Sequence, residues 1–184
     1  MAEESFRDCS GLVFDLRYPY GGPSLDFRRW FMDHLADRRV KRLPGQVPVA
    51  ASHDRSVIQF VPSPQFHPLH DVDPTRWWEP AGPQPFTKPV VVLIGEHLIS
   101  HFESVSMVLQ GIDHVTLVGG ETKGTTGNVT RILLPGGGRL HFTGKRVYSL
   151  DGSRFQNVGV IPDVEVYPTF EGLKAGRDEV LETG

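Results

Sequence analysis

Pro89-Val90-Val91-Val92-Leu93-Ile94-Gly95-Glu96-His97-Leu98-Ile99-Ser100-His101-Phe102-Glu103 is the stretch on which the fold turns. Val90 to Ile94 is an unbroken apolar run, four of its five residues β-branched. Such a run, without polar alternation, predicts a strand buried on both faces. Gly95 ends it. From Ser100 the period changes: Phe102, Val105, Val108 and Leu109 share one helical face. That spacing predicts a helix over 100–111.

Outward from this centre the same two periods recur. Upstream, Gly11-Leu12-Val13-Phe14-Asp15-Leu16 predicts a buried parallel strand, closed by the loop-forming Arg17-Tyr18-Pro19-Tyr20-Gly21-Gly22. Residues 24–36 predict a helix carrying Leu25, Trp30, Phe31 and Leu35 on its apolar face. Weaker strand signals lie at 39–43 and 57–61. The proline-rich stretch 62–89 has no period and predicts a long surface loop or lid anchored by Trp77-Trp78. Downstream, 114–118 reads as a strand. Residues 130–134 and 139–143, joined by Pro135-Gly136-Gly137-Gly138, read as a β-hairpin. Further strands are expected at 145–150 and 164–167, then a charged helix over 171–182. Helix and strand pieces alternate around several buried strands, so the class is α/β. One domain over 1–170 is expected, followed by a helical tail over 171–184.

Composition narrows the function. A chain of 184 residues is long enough for one domain with its own core. With 20 glycines and 15 prolines it is rich in loops, yet 39% hydrophobic residues predict a folded chain. A net charge of −3 gives no field that would draw it to nucleic acid or an anionic membrane. Cys9 is the single cysteine, so neither an internal disulfide framework nor a cysteine zinc site is expected. No apolar run reaches the roughly 18 residues of a spanning helix. Met1-Ala2-Glu3-Glu4 is acidic where a signal peptide would be basic. The compartment stays open.

Chemistry concentrates at Ser100. A serine where a buried strand turns into a helix presents its hydroxyl above the carboxyl edge of the sheet. The unpaired N–H groups of the first helical turn, with the positive end of the helix dipole, face whatever binds there. An oxyanion formed in acyl transfer needs such donors, and the arrangement follows the logic of a nucleophile elbow without its G-x-S-x-G spelling. The same residues have a structural reading. Ser100-x-x-Glu103 spells a capping box, and serine is a preferred helix cap. Spacing alone leaves both readings open, with the cap the commoner use of such residues.

Four ordered motifs add a resemblance. Asp15-Leu16-Arg17 followed by Gly21-Gly22, the strand into Ser100-x-x-Glu103, Val118-Gly119 with Thr122-x-Gly124, and Gly159-Val160-Ile161-Pro162-Asp163-Val164 together resemble the tail-specific (C-terminal processing) and tricorn-core serine peptidases over 11–167. The resemblance implies a ClpP/crotonase-like α/β fold with a mixed sheet, flanking helices and a C-terminal β-hairpin region. It implies peptide-bond hydrolysis without a cofactor or metal, acting on peptide or unfolded protein. It places the nucleophile at Ser100 and the oxyanion hole at the backbone of His101 and of Gly21 or Gly22, with Glu103, Thr125 and Gln156 at supporting positions.

Two departures qualify the mechanism. Where many members carry a catalytic lysine this chain has Thr125, which cannot act as a general base near neutral pH; Lys123 lies two residues earlier. Where tricorn-like members carry a glutamate this chain has Gln156. A histidine base would come from a segment upstream of residue 11 or from a partner chain, a homo-oligomer being one arrangement; His97 and His101 are the nearest alternatives in sequence. The other reading is a catalytically degenerate module that binds peptide or an apolar ligand. Gly119-Gly120-Glu121-Thr122-Lys123-Gly124-Thr125-Thr126 nearly spells a phosphate-binding loop, but Thr125 replaces the lysine and a β-rich stretch follows. His67, His70, Asp71 and Asp73 could be drawn as metal ligands, but prolines and wrong spacing favour a loop.

Overall fold

The computed structural model describes residues 6, 8–18, 25–41, 45–50, 58–62, 77–82, 84–127 and 129–184. Its centre is a four-stranded sheet of β1 (Leu12–Asp15), β6 (Val90–Ile94), β7 (Val115–Gly119) and β11 (Val164–Glu165), in that spatial order. All three pairings are parallel. Antiparallel pairing is confined to separate small sheets. One joins β10 (Arg146–Val147), β3 (Gly45–Ala50) and β4 (Ile58–Pro62). Another pairs β2 (Val40–Lys41) with β5 (Trp77–Trp78), and a third is the hairpin β8 (Val129–Leu133) with β9 (Arg139–Thr143). The chain is α/β, as expected.

Both faces of the central sheet are covered, which is why Val90–Ile94 needs no polar alternation. Val90, Val92, Ile94, Val115 and Leu117 pack into the main core with helices α1 (Leu25–Leu35) and α2 (His101–Leu109). Phe31, Met32 and Leu35 of α1 are buried there. The Phe27 ring meets Phe102 of α2 edge-on at 5.6 Å, a favoured aromatic geometry. The opposite face is smaller. There Leu93 and Val118 pack against Val180 of α4 (Glu179–Thr183), with Val91 and Val166 beside them.

The last segment differs from the single helix expected over 171–182. It forms α3 (Phe170–Lys174) and α4, separated by Gly176 at φ 70°. A left-handed glycine just past Ala175 ends the first helix. Asp178 begins the second by accepting the Leu181 amide at 3.0 Å. Arg17 then clamps this helix start: its two terminal nitrogens reach both Asp178 carboxylate oxygens at 2.7 Å.

Strand β3 was not expected from sequence. Its Gly-Gln-Val-Pro-Val-Ala spelling hides a strand, because proline removes a ladder donor. Pro48 is accommodated because β10 pairs only with Gly45 and Gln46, so no neighbour on that side lies opposite it. Strands expected over 145–150 and 164–167 shrink to two residues each. Most of the expected lid over 62–89 lies outside the described residues. Its Trp78 packs against the main core, while Trp77 is 42% exposed under the Arg39 guanidinium.

Candidate active site

Ser100 stands one residue before α2, at the carboxyl side of β6. Its backbone is at φ 58°, ψ −123°. A helix-capping serine normally has extended φ and ψ. Positive φ in a residue with a Cβ costs of order 1–3 kcal/mol and persists only where the surroundings impose it. Here they do. The Ser100 amide donates to Glu103 Oε2 at 2.8 Å and to Thr125 Oγ1 at 3.2 Å. The Ser100 carbonyl accepts the amides of Glu103 at 3.1 Å and Ser104 at 3.3 Å, together with the Thr126 hydroxyl. Ser100 is half-buried. The amides of His101 and Phe102, first in the helix, have no acceptor among the described residues.

Glu103 organises the site. Its side chain is completely buried (0% exposed). Oε1 accepts the Thr122 hydroxyl at 2.8 Å and the Gly124 amide. Oε2 accepts the Ser100 amide, the Thr125 amide at 2.9 Å and the Thr125 and Thr126 hydroxyls, each at 3.1 Å. A buried carboxylate without a cation is tolerable only when its lone pairs are filled in this way. The loop 119–127 is therefore wound around one carboxylate. No helix follows it, as a phosphate-binding loop would require. Gly124, at φ 69°, lies so near the amides of Asn157, Val158 and Gly159 that a Cβ would meet them at 2.8–2.9 Å. Gly159 approaches Thr122 in the same way, with Thr122 O at 2.3 Å from its notional Cβ. The third and fourth sequence motifs thus meet back to back.

The Thr125 hydroxyl is engaged between the Ser100 amide and Glu103. Gln156 is a backbone brace. Its carbonyl accepts the Val147 amide at 3.1 Å, and its amide group donates to Lys145 O at 2.8 Å and Thr126 O at 3.3 Å. A glutamate could not make the last two bonds as an anion. Asp163 accepts from the Leu117 amide at 2.8 Å and the Gln110 side chain at 3.0 Å, fastening β7 to the C-terminus of α2. Asp15 holds Arg17. These motif residues shape the fold around the site. Gly21 and Gly22, and with them half of the expected oxyanion hole, lie outside the described residues, as do His53, His67 and His70.

The histidines described do not converge on the serine. His34 is stacked on Trp30 at 4.5 Å, its Nδ1 at 2.8 Å from the Trp30 carbonyl. His97 is exposed and stacked on Tyr18 at 5.8 Å. His141 is exposed on β9. His101 is different: burial, reinforced by the charge of Arg28, pulls its pKa down to about 4. Burial and the same Arg28 also lower the pKa of Lys145. Arg28 lies 4.8 Å over the Trp78 ring. Arg28 of α1 thus acts on both the neutral His101 ring and Lys145 before β10. The sequence reading missed this grouping, because its members are 44 to 117 residues apart along the chain.

Among the described residues, no group of three or more His, Cys, Asp or Glu is placed to hold a metal ion, and no helix is long and apolar enough to cross a membrane.

The comparisons bear on the fold and the family. No curated protein matches the chain by sequence. Among solved structures, a protein assigned as a peptidase from Parabacteroides merdae superposes with a TM-score of 0.76 at 23% identity, over 97% of this chain and 51% of that one. Mature CPAF in complex with lactacystin superposes at 0.74 with 18% identity, over 94% and 42%. The photosystem II D1 C-terminal processing protease superposes at 0.58 with 22% identity, over 89% and 36%. The chain spans about half or less of the length of these relatives, and at such identities they speak for the fold. The model of peptidase family S41 matches residues 2–166. This chain belongs to peptidase family S41.

Proposed function

We propose that this chain carries the nucleophile of a serine peptidase acting on peptide or unfolded protein, with Ser100 attacking the scissile carbonyl. The observation that carries the reading is the Ser100 backbone at φ 58°, ψ −123°. A cap has no need of that conformation. A nucleophile on a sharp strand-to-helix turn does. Strain at such a residue is held by the Glu103 network.

The chemistry is acyl transfer. The Ser100 hydroxyl adds to the carbonyl, and the oxyanion is met by the His101 amide and by a second donor from Gly21 or Gly22. We assign the base to a histidine of a preceding segment or a partner chain; His53, His67 and His70 lie outside the described residues. Thr125 is not a base, and the described histidines lie elsewhere or, like His101, follow the serine on the helix.

A serine-reactive fluorophosphonate, followed by mass mapping, tests the reading. Adduct at Ser100, lost in Ser100→Ala, is the expected result for the chain assembled with its base. Absence of adduct in that assembly favours the second reading, a degenerate module that binds peptide without cutting it. Thr125 in the lysine position favours that alternative.

A further inference from the structure

We infer that the β8–β9 hairpin docks on an anionic lipid surface, its turn end entering the bilayer interface and its basic residues meeting the headgroups.

The hairpin stands apart from the sheets around it. Its two strands pair with each other and with no third strand among the described residues. A two-stranded ribbon is marginal in water unless something covers it. Every residue of β9 is exposed. The turn Pro135-Gly136-Gly137-Gly138 reaches into open space: a Cβ on Gly136 or Gly137 would have nothing within 4 Å. The turn is nonetheless built. The Leu134 amide donates to Gly138 O at 2.8 Å and the Gly137 amide to Leu134 O at 3.2 Å.

Apolar side chains collect at this end. Leu133 is 75% exposed, and Leu134, Leu140 and Phe142 are exposed with it. Leu133, Leu134 and Leu140 all lie within two residues of the turn, which itself carries no charge. Single exposed hydrophobic residues are ordinary, whereas a cluster of them on one projecting element marks a contact surface. Strand alternation sends Leu140 and Phe142 to one face of the hairpin, and Arg139 and His141 to the other, where Leu133 lies opposite Arg139. Apolar side chains therefore flank the turn on both faces. A lipid interface can cover both faces at once. A strand added to one edge would pair with the backbone and need neither.

Charge specifies the lipid. Residues 122–150 contain Lys123, Arg131, Arg139, Lys145 and Arg146, and not one of the 22 Asp and Glu of the chain. The net charge of −3 conceals this local excess. The order along the hairpin matches the layers of a bilayer surface. Amphipathic elements sink about 5–10 Å into the interface, which at about 3.4 Å per strand residue takes in Leu133, Leu134 and Leu140. Arg139 enters with them, and an arginine stem is long enough to return its charge to the headgroups. Arg131 and His141, opposite each other in the ladder, come next. Lys145 and Arg146 follow β9 and add to the field that draws an anionic surface closer.

The test is flotation of the full chain with two kinds of vesicle, phosphatidylcholine alone and phosphatidylcholine with about 30 mol% phosphatidylglycerol. Binding to the anionic vesicles is expected to be about 10-fold tighter or more, and to weaken as salt is raised. Arg139→Glu changes the charge by two units and should weaken binding roughly 30-fold. Leu133→Ser combined with Leu134→Ser should abolish it. All three positions are exposed, and thermal melts check that the variants keep the fold. An environment-sensitive dye on Leu134→Cys, in a Cys9→Ser background, reads the hairpin directly and should shift to the blue on anionic vesicles. No preference for anionic vesicles, a preference that survives both hairpin variants, or an unshifted dye would overturn the inference. So would a dimer in solution that Leu133→Ser dissolves, or binding to polyglutamate with none to vesicles. Those results would give the hairpin to a second copy of the chain or to an acidic protein.

Discussion

The buried carboxylate of Glu103 takes the backbone N–H of Ser100 at 2.8 Å, and by that bond holds a serine in a backbone conformation that serines avoid. The spelling Ser-x-x-Glu is that of a capping box, and the box is made, though around a serine whose backbone is not that of a cap. The Glu103 amide goes to the Ser100 main-chain carbonyl. The Glu103 side chain, meanwhile, also gathers Thr122, Gly124, Thr125 and Thr126. One side chain thus sets both the turn at Ser100 and the loop against which a substrate would lie.

Glu103→Gln should therefore be costly although it is nearly isosteric. It removes one acceptor oxygen and turns an NH2 group toward amide and hydroxyl donors. A loss of about 2–4 kcal/mol is expected, since each buried donor left unpaired costs about 1–3 kcal/mol. Urea unfolding monitored by circular dichroism measures it. A loss below about 0.5 kcal/mol would mean that the network does not hold the turn.

Ser100→Gly and Ser100→Ala should part company. Glycine adopts positive φ without penalty, and alanine does not. The glycine variant is expected to be more stable than the alanine variant by about 1 kcal/mol. Both lose the hydroxyl and any fluorophosphonate adduct. Thermal melts of the pair decide it; an alanine variant as stable as the glycine variant would count against strain at Ser100.

His101 should stay neutral far below the usual imidazole range. Burial, with Arg28 nearby, sets its pKa at about 4 in the folded chain against 6.5 for a free side chain. Between those values the unfolded chain binds the extra proton, so stability falls as pH drops from about 6.5 to about 4. His101→Gln should flatten that part of the pH profile. An imidazole NMR titration of the folded protein with a midpoint near 6.5 would contradict the burial of this ring.

The acid limb should also carry the Arg17 clamp. The Arg17 guanidinium, through its hydrogen bonds, lowers the pKa of both Asp178 and Asp15 below 3.8. Their contribution is present above the unfolded value and is lost as pH falls through the depressed folded values, below about pH 4. Arg17→Met should remove this dependence. It should also speed amide exchange over 179–183, because the clamp fixes the start of α4. Unchanged exchange there would show that Val180 packing alone holds the helix.

The elements with the strongest local pattern were legible. Val90–Ile94, helix α2 and the Gly-rich hairpin follow from apolar runs, a 3.6-residue period and turn residues. Strand β3 was hidden by Pro48, since proline removes a ladder donor; Pro48 lies opposite Phe60 of β4, and β10 stops short of it. The two-helix ending was hidden because a charged, 3.6-periodic stretch continues across Gly176, and only its φ of 70° reveals the break.

By itself the sequence determined the α/β class, the parallel core strand, and the position of a serine at the head of a helix. Local periodicity and turn chemistry suffice for these, since they depend on residues a few positions apart. Tertiary structure alone decided the rest. It showed that Glu103 is spent on winding a loop and that Thr125 is engaged beside the serine. It showed that Gln156 is a brace and that Arg28 acts on both His101 and Lys145. Hydrogen bonds and charge interactions act through space, so residues far apart in sequence acquire these roles only once the sheet and helices bring them together.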